Sequence, residues 1–130
     1  MAEGAWKSCF RPRWLKLSLL VAVVVLGLTH IPGERMPRAL QVHYLDKAEH
    51  IAAYGLIAGF FLLSLKRPVR PAVLLIGLAL LAALGALDEM TQPLVNRIAS
   101  LADYTCDLIG VAIPGVVLLV GRISRFRAPR

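Results

Sequence analysis

Asp46, His50 and Tyr54 follow one another at four-residue intervals, a spacing that puts a carboxylate, an imidazole and a phenol on one face of a helix. Asp88, Glu89 and Gln92 form a second polar group, and Arg97, Ser100, Asp103 and Asp107 a third. Carboxylates beside an imidazole can do three kinds of chemistry. They can hold a hard cation such as Mg²⁺, Mn²⁺ or Ca²⁺, for which Asp46, His50, Asp88 and Asp103 are the candidate ligands. They can exchange protons with a substrate, or attract a cationic group by charge alone. No nucleophile elbow, H-E-x-x-H or phosphate-binding loop accompanies them, so the residues alone name no enzyme class.

The elements that carry these groups are membrane helices. The chain has 130 residues, 58% of them hydrophobic and 18% charged, with a mean hydropathy of +0.68. That is too apolar for a soluble domain of this size. An all-α membrane protein with four transmembrane helices is predicted, at about 14–30, 48–65, 71–87 and 104–121. Each span is near the shortest that crosses a hydrocarbon core of about 30 Å, so little tilt or snorkelling flanks are expected. Seven of the eight acids, Glu34, Asp46, Glu49, Asp88, Glu89, Asp103 and Asp107, then fall at one end of the bundle. Ionisable groups at membrane depth are costly and mark either a functional site or a paired structural network.

Basic residues set the orientation. Eleven of the fifteen, including Lys7, Arg11, Lys66, Arg70, Arg122 and Arg130, lie at one end, with Glu3 the single acid there. The other end has Arg35, Arg38, Lys47 and Arg97 against seven acids, so the two ends carry +10 and −3. By the positive-inside rule both termini are cytoplasmic and the acidic end faces outward. Topology and anionic headgroups account for the net charge of +7, and nucleic acid is not an expected partner. The first span resembles a signal sequence, but Leu28-Thr29-His30-Ile31-Pro32 has no A-x-A cleavage site, and an uncleaved anchor is expected. Cys9 and Cys106 fall at opposite ends and cannot form a disulfide within one chain.

Local signals place the turns. Pro32-Gly33 opens the first loop, Pro68 and Pro71 close the short second one, and Pro93 ends or kinks the helix leaving the third span. The second and third spans therefore form an antiparallel hairpin. Ser100-x-x-Asp103 reads as a capping box that starts the fourth span. Gly55-x-x-x-Gly59 has the small-xxx-small spacing of close helix contacts and Gly110 is a further packing candidate, while Pro114 with Gly110 and Gly115 weakens or bends the last span. Three helices thus present polar stripes at one depth, and the cost of exposing them to lipid makes them converge on an outward-facing pocket. His43 and Tyr44 are assigned to the interface, and Glu34 and Glu49 to bulk solvent.

The ordered set Asp46-Lys47-x-x-His50-x-x-x-Tyr54, Asp88-Glu89-x-x-Gln92 and Arg97-x-x-Ser100-x-x-Asp103-x-x-x-Asp107-x-x-Gly110 resembles the VanZ-like family of small bacterial membrane proteins. The resemblance covers about half of the chain, from Asp46 to Gly115. Two positions depart from the family pattern. Asp107 stands where the family has Asn, and Pro93-Leu94-Val95-Asn96 stands where it has an aromatic-Pro-Gly run before Arg97. The family is named for a protein linked to teicoplanin resistance, so the resemblance implies a role in the cell envelope and no particular reaction.

Three functions follow from these residues. In the first, the pocket binds a cation or an envelope ligand through Asp46, Lys47, His50, Tyr54, Asp88, Glu89, Gln92, Arg97, Ser100, Asp103 and Asp107. In the second, the same groups form a metal-dependent enzyme acting on a lipid-linked or peptidoglycan-type molecule. In the third they are an interhelical network: Lys47 and Arg97 pair with Asp88, Asp103 or Glu89, while His50, Tyr54 and Gln92 satisfy one another. Four basic residues cannot neutralise seven acids, which weighs against the third. A transport path is disfavoured, because the opposite half of every span is apolar.

Overall fold

The computed structural model describes residues 9–35 and 43–127, and within them all side chains except those of 33, 43, 44 and 119–127. The expectations for His43 and Tyr44, and for the basic residues beyond these limits, lie outside what is described. Among the described residues there are four α-helices: α1 (Pro12–Thr29), α2 (His43–Ser64), α3 (Pro71–Thr91) and α4 (Leu101–Arg127). Proline sets two of the starts. Pro12 and Pro71 each follow an extended arginine and occupy the first helical turn, where their missing N–H would have had no partner.

Three helical segments, Pro12–Thr29, Pro71–Val95 and Leu101–Leu118, are long and apolar enough to cross a membrane. α2 has the length, at 22 residues, but its first two turns carry Asp46, Lys47, Glu49 and His50 and dilute its apolar content. Leu19, Val23, Leu75, Leu80 and Val117 are all more than half exposed on the outer faces of the other three helices. Such a surface suits lipid and not water.

α2 is the central helix and contacts the other three. Its closest partner is α4, not the α3 to which the short loop joins it. The reason is a glycine contact. A Cβ at Gly110 would lie 2.5 Å from the Ile51 carbonyl oxygen and 3.0 Å from the Gly55 nitrogen, so the two backbones approach as only glycine allows. Gly59 faces Pro114 more loosely, its would-be Cβ 4.0 Å from the proline Cγ. α4 continues without a break through Pro114. The core runs from Ala22 and Val25 through Tyr54, Ile57, Ala58 and Val111, with Phe61, Leu65 and Val73 below. At that lower end the Arg11 N–H donates to the Ser64 carbonyl at 2.6 Å and Lys66 N–H to Cys9 at 2.8 Å. Cys106 is buried in α4 near the other end, so the cysteines are separated as expected.

α3 gives way at Pro93 to a 3₁₀ turn, Gln92–Val95, which ends at Asn96 with φ 57°. Asparagine tolerates this left-handed conformation better than most residues. The reversal turns Arg97 back over the bundle and brings Ser100 to the head of α4, where its Oγ accepts the Asp103 N–H at 3.3 Å. Only that arm of the expected capping box forms within the motif. The Ser100 N–H donates at 2.8 Å to Glu89 Oε2 on α3, tying two helices together.

Candidate functional site

The end where α1 and α3 finish and α2 and α4 begin gathers all the sequence-predicted polar residues, in two layers. The upper layer is ionic. Lys47 donates to Asp103 Oδ1 at 2.7 Å, joining α2 to α4. Arg97 donates to the Thr29 carbonyl at 2.9 Å and reaches Asp46 Oδ1 at 3.5 Å, spanning the ends of α1 and α2. The expectation that Arg97 pairs with Asp88, Asp103 or Glu89 is corrected: the Asn96 turn delivers it to the α1–α2 side.

The lower layer is buried. His50 shares a 2.8 Å hydrogen bond between its Nδ1 and Asp107 Oδ1, and its Nε2 lies 3.9 Å from Glu89 Oε1. A carboxylate can only accept, so the network assigns the proton to Nδ1 and leaves Nε2 facing Glu89. Glu89 is held from two further directions: Gln92 Nε2 donates to its Oε1 at 2.7 Å and the Ser100 N–H to its Oε2. Asp88 turns the other way, toward α1. Thr29 donates to its Oδ1 at 2.6 Å and His30 Nδ1 stands 3.5 Å from the same oxygen. His30 is fixed by the Leu26 carbonyl and by Thr91, each at 2.9 Å.

Three buried oxygens in this layer have no hydrogen-bond partner among the described residues: Tyr54 Oη, Asp88 Oδ2 and Asp107 Oδ2. Tyr54, His50 and Gln92 therefore do not satisfy one another as expected. His50 goes to Asp107, Gln92 to Glu89, and the Tyr54 hydroxyl to none. Gly85 makes room here, since a Cβ on it would lie 3.1 Å from Asp107 Oδ2 and 3.4 Å from the Tyr54 ring.

A cavity of about 390 Å³ opens beside the two layers, between α1 and α2. Of the eleven residues predicted to form one pocket, Asp46, His50, Tyr54 and Arg97 line it. Lys47, Ser100 and Asp103 belong to the ionic lid, and Asp88, Glu89, Gln92 and Asp107 are buried behind it. Glu34 and Glu49 are both exposed, as expected, and Glu49 is in addition a lining residue of the cavity, together with Arg35 and Thr29. The lining also has an apolar part, with Val25, Leu28, Ala52 and Ala53.

The four candidate metal ligands divide in the same way. One donor atom each from Asp46, His50 and Asp103 lie within 4.8 Å of one another, and a second such group is His50, Glu89 and Asp107. Asp88 is in neither, because the adjacent positions 88 and 89 point about 100° apart on a helix. Sequence reasoning missed the contribution of α1. Thr29 and His30 are the two polar residues that close an otherwise apolar span at the acidic end, and that was the available signal. Compared with family models, with curated proteins and with solved structures, the chain has no match in any of the three.

Proposed function

We propose that this chain is a VanZ-like protein of the bacterial cytoplasmic membrane that binds an amphiphilic cell-envelope ligand in the cavity between α1 and α2. The cavity's composition carries the reading. Its lining combines Asp46, Glu49, Arg35 and Arg97 with the apolar Val25, Leu28, Ala52 and Ala53. Fixed charges of both signs among apolar groups suit a head group with amine and acid functions joined to a hydrocarbon or aryl body. Lipid-linked peptidoglycan-type precursors and teicoplanin-type glycopeptides both have that character, which agrees with the envelope role implied by the resemblance.

The conformation of Asn96 supports the kinship. It takes a left-handed turn at the position where the family has glycine, so the departure in sequence preserves the backbone that aims Arg97. In this reading all four helices span, both termini are cytoplasmic and the cavity faces the outer side.

Binding is tested with purified full-length protein in detergent micelles, by fluorescence anisotropy of a labelled lipid-linked peptidoglycan precursor and, separately, of labelled teicoplanin. Asp46→Asn and Ala52→Trp, which fills the cavity from an exposed position, should each weaken binding of one of them at least tenfold. Cells carrying either variant should then tolerate teicoplanin as poorly as cells lacking the protein. If neither compound binds the parent protein, or both variants bind as the parent does, the reading is wrong. A second reading, a metal-dependent enzyme acting on the same class of molecule, is favoured by the position of His50, which lines the cavity and touches Asp107 behind it. It requires turnover of the precursor by the parent protein and its loss in His50→Gln.

A further inference from the structure

We propose that His50, Glu89 and Asp107 form a divalent-cation site inside the helix bundle, behind the cavity that His50 also lines. A ring nitrogen of His50 and one carboxylate oxygen each from Glu89 and Asp107 lie within 4.8 Å of one another, and all three residues are buried. Two opposite metal–ligand bonds of 2.0–2.1 Å span about 4.2 Å, so side-chain adjustments of under about 1 Å bring these donors onto one ion.

A cluster of acids alone is weak ground for a site, but here one buried carboxylate, bonded to His50 through Oδ1, keeps its second oxygen free. Asp107 is 1% exposed and its Oδ2 has no hydrogen-bond partner. Buried polar oxygens are almost always satisfied, and a carboxylate oxygen that is not points to a group missing from its side. Charge bookkeeping points the same way. Lys47 and Arg97 pair with Asp103 and Asp46, so the buried Glu89 and Asp107 are left with a single imidazole between them. Even a protonated His50 cannot balance two carboxylates, whereas a divalent ion does so.

The same ledger selects this triad over the neighbouring group of Asp46, His50 and Asp103, whose carboxylates already have Arg97 and Lys47 as counter-ions. The second shell is in place as well. Gln92 and the Ser100 N–H each donate to Glu89, which fixes the carboxylate without using all of its lone pairs. One imidazole with two carboxylates favours Mn²⁺ or Zn²⁺ over the all-oxygen preference of Mg²⁺ and Ca²⁺.

The test uses full-length protein in detergent, stripped with chelator and titrated with Mn²⁺ alone while electron paramagnetic resonance follows the free ion. One Mn²⁺ should bind per chain, Zn²⁺ should displace it, and pulsed spectra should show coupling to one imidazole nitrogen. Glu89→Gln and Asp107→Asn should each weaken binding at least tenfold, and His50→Gln should abolish the nitrogen coupling. Asp46→Asn should leave affinity within about twofold. No binding at millimolar Mn²⁺ or Zn²⁺ by the parent protein overturns the proposal, as does bound Mn²⁺ without nitrogen coupling. Loss of binding in Asp46→Asn with retention in Glu89→Gln also overturns it, placing the ion in the neighbouring group. The parent's spectrum needs no variant to fold, so the proposal stays open to refutation if a substitution prevents accumulation.

Discussion

His50 stands between carboxylates from two different helices, and its worth is a matter of what its removal leaves behind. In chelator-treated protein, His50→Ala strands the Asp107 carboxylate, which is 1% exposed and has no other partner. Removing one member of a buried pair costs on the order of 3–5 kcal/mol. Asp107→Asn takes away the charge and supplies an amide donor beside the oxygens of Asp88 and Tyr54, so it should cost under about 1 kcal/mol. The double variant His50→Ala, Asp107→Asn should then be more stable than His50→Ala alone. That coupling is read from a double-mutant cycle of thermal unfolding in detergent, and simple additivity would show that the contact contributes little. Thr29 makes a parallel case on α1. Thr29→Val deletes the 2.6 Å hydroxyl donor to Asp88, a residue with one orphaned oxygen already, and should cost about 1–3 kcal/mol by the same measurement. A neutral outcome would mean that His30 alone suffices for Asp88.

At the scale of helices, the contact of α2 with α4 is decided by backbone proximity. Gly110→Ala puts a methyl group 2.5 Å from the Ile51 carbonyl oxygen, which is backbone and cannot turn aside. The helices must separate, at a cost of about 1–3 kcal/mol. Gly115→Ala, five residues along the same helix, meets nothing within 4 Å and should be neutral or slightly stabilising. Equal unfolding temperatures for the two variants would remove the close approach from the account of the fold. This contact also shows the limit of what the sequence makes legible. Helix positions, their proline starts and the polar ends follow from periodicity and from backbone chemistry, which are local. Gly55 and Gly110 could be recognised as packing residues, but not that they pack on each other, because partner choice depends on four helices at once. For the same reason Asp88 and Glu89 read as one acidic unit in sequence. Their divergence around the helix sends one to Thr29 of α1 and the other to His50 and Ser100.

For the whole molecule, the expectation to test is that α2 crosses the bilayer together with the three helices that are long and apolar enough to do so. Its polar first turns leave it less apolar than they are, yet three of those four groups are spent on protein, Asp46 on Arg97, Lys47 on Asp103 and His50 on Asp107, and only Glu49 is exposed. A helix whose polar face is enclosed by its neighbours can lie at membrane depth. The polar end joins the C-terminal ends of α1 and α3 with the N-terminal ends of α2 and α4, as alternating crossings require. Parity makes this measurable. Four crossings put both termini on one side, whereas three put them on opposite sides. Green fluorescent protein fused to the C-terminus should therefore fluoresce, and alkaline phosphatase there should stay inactive, with a matching result at the N-terminus. In a background lacking Cys9 and Cys106, Leu94→Cys, 81% exposed on the turn after α3, should react with an impermeant maleimide applied to intact cells. Arg67→Cys, exposed on the loop between α2 and α3, should react only after permeabilisation. The labelling separates the two ends whatever the reporters do: Arg67→Cys labelled from outside would mean that α2 stays on the side where it starts or that the bundle is inverted, and opposite reporter results at the two termini would choose the first.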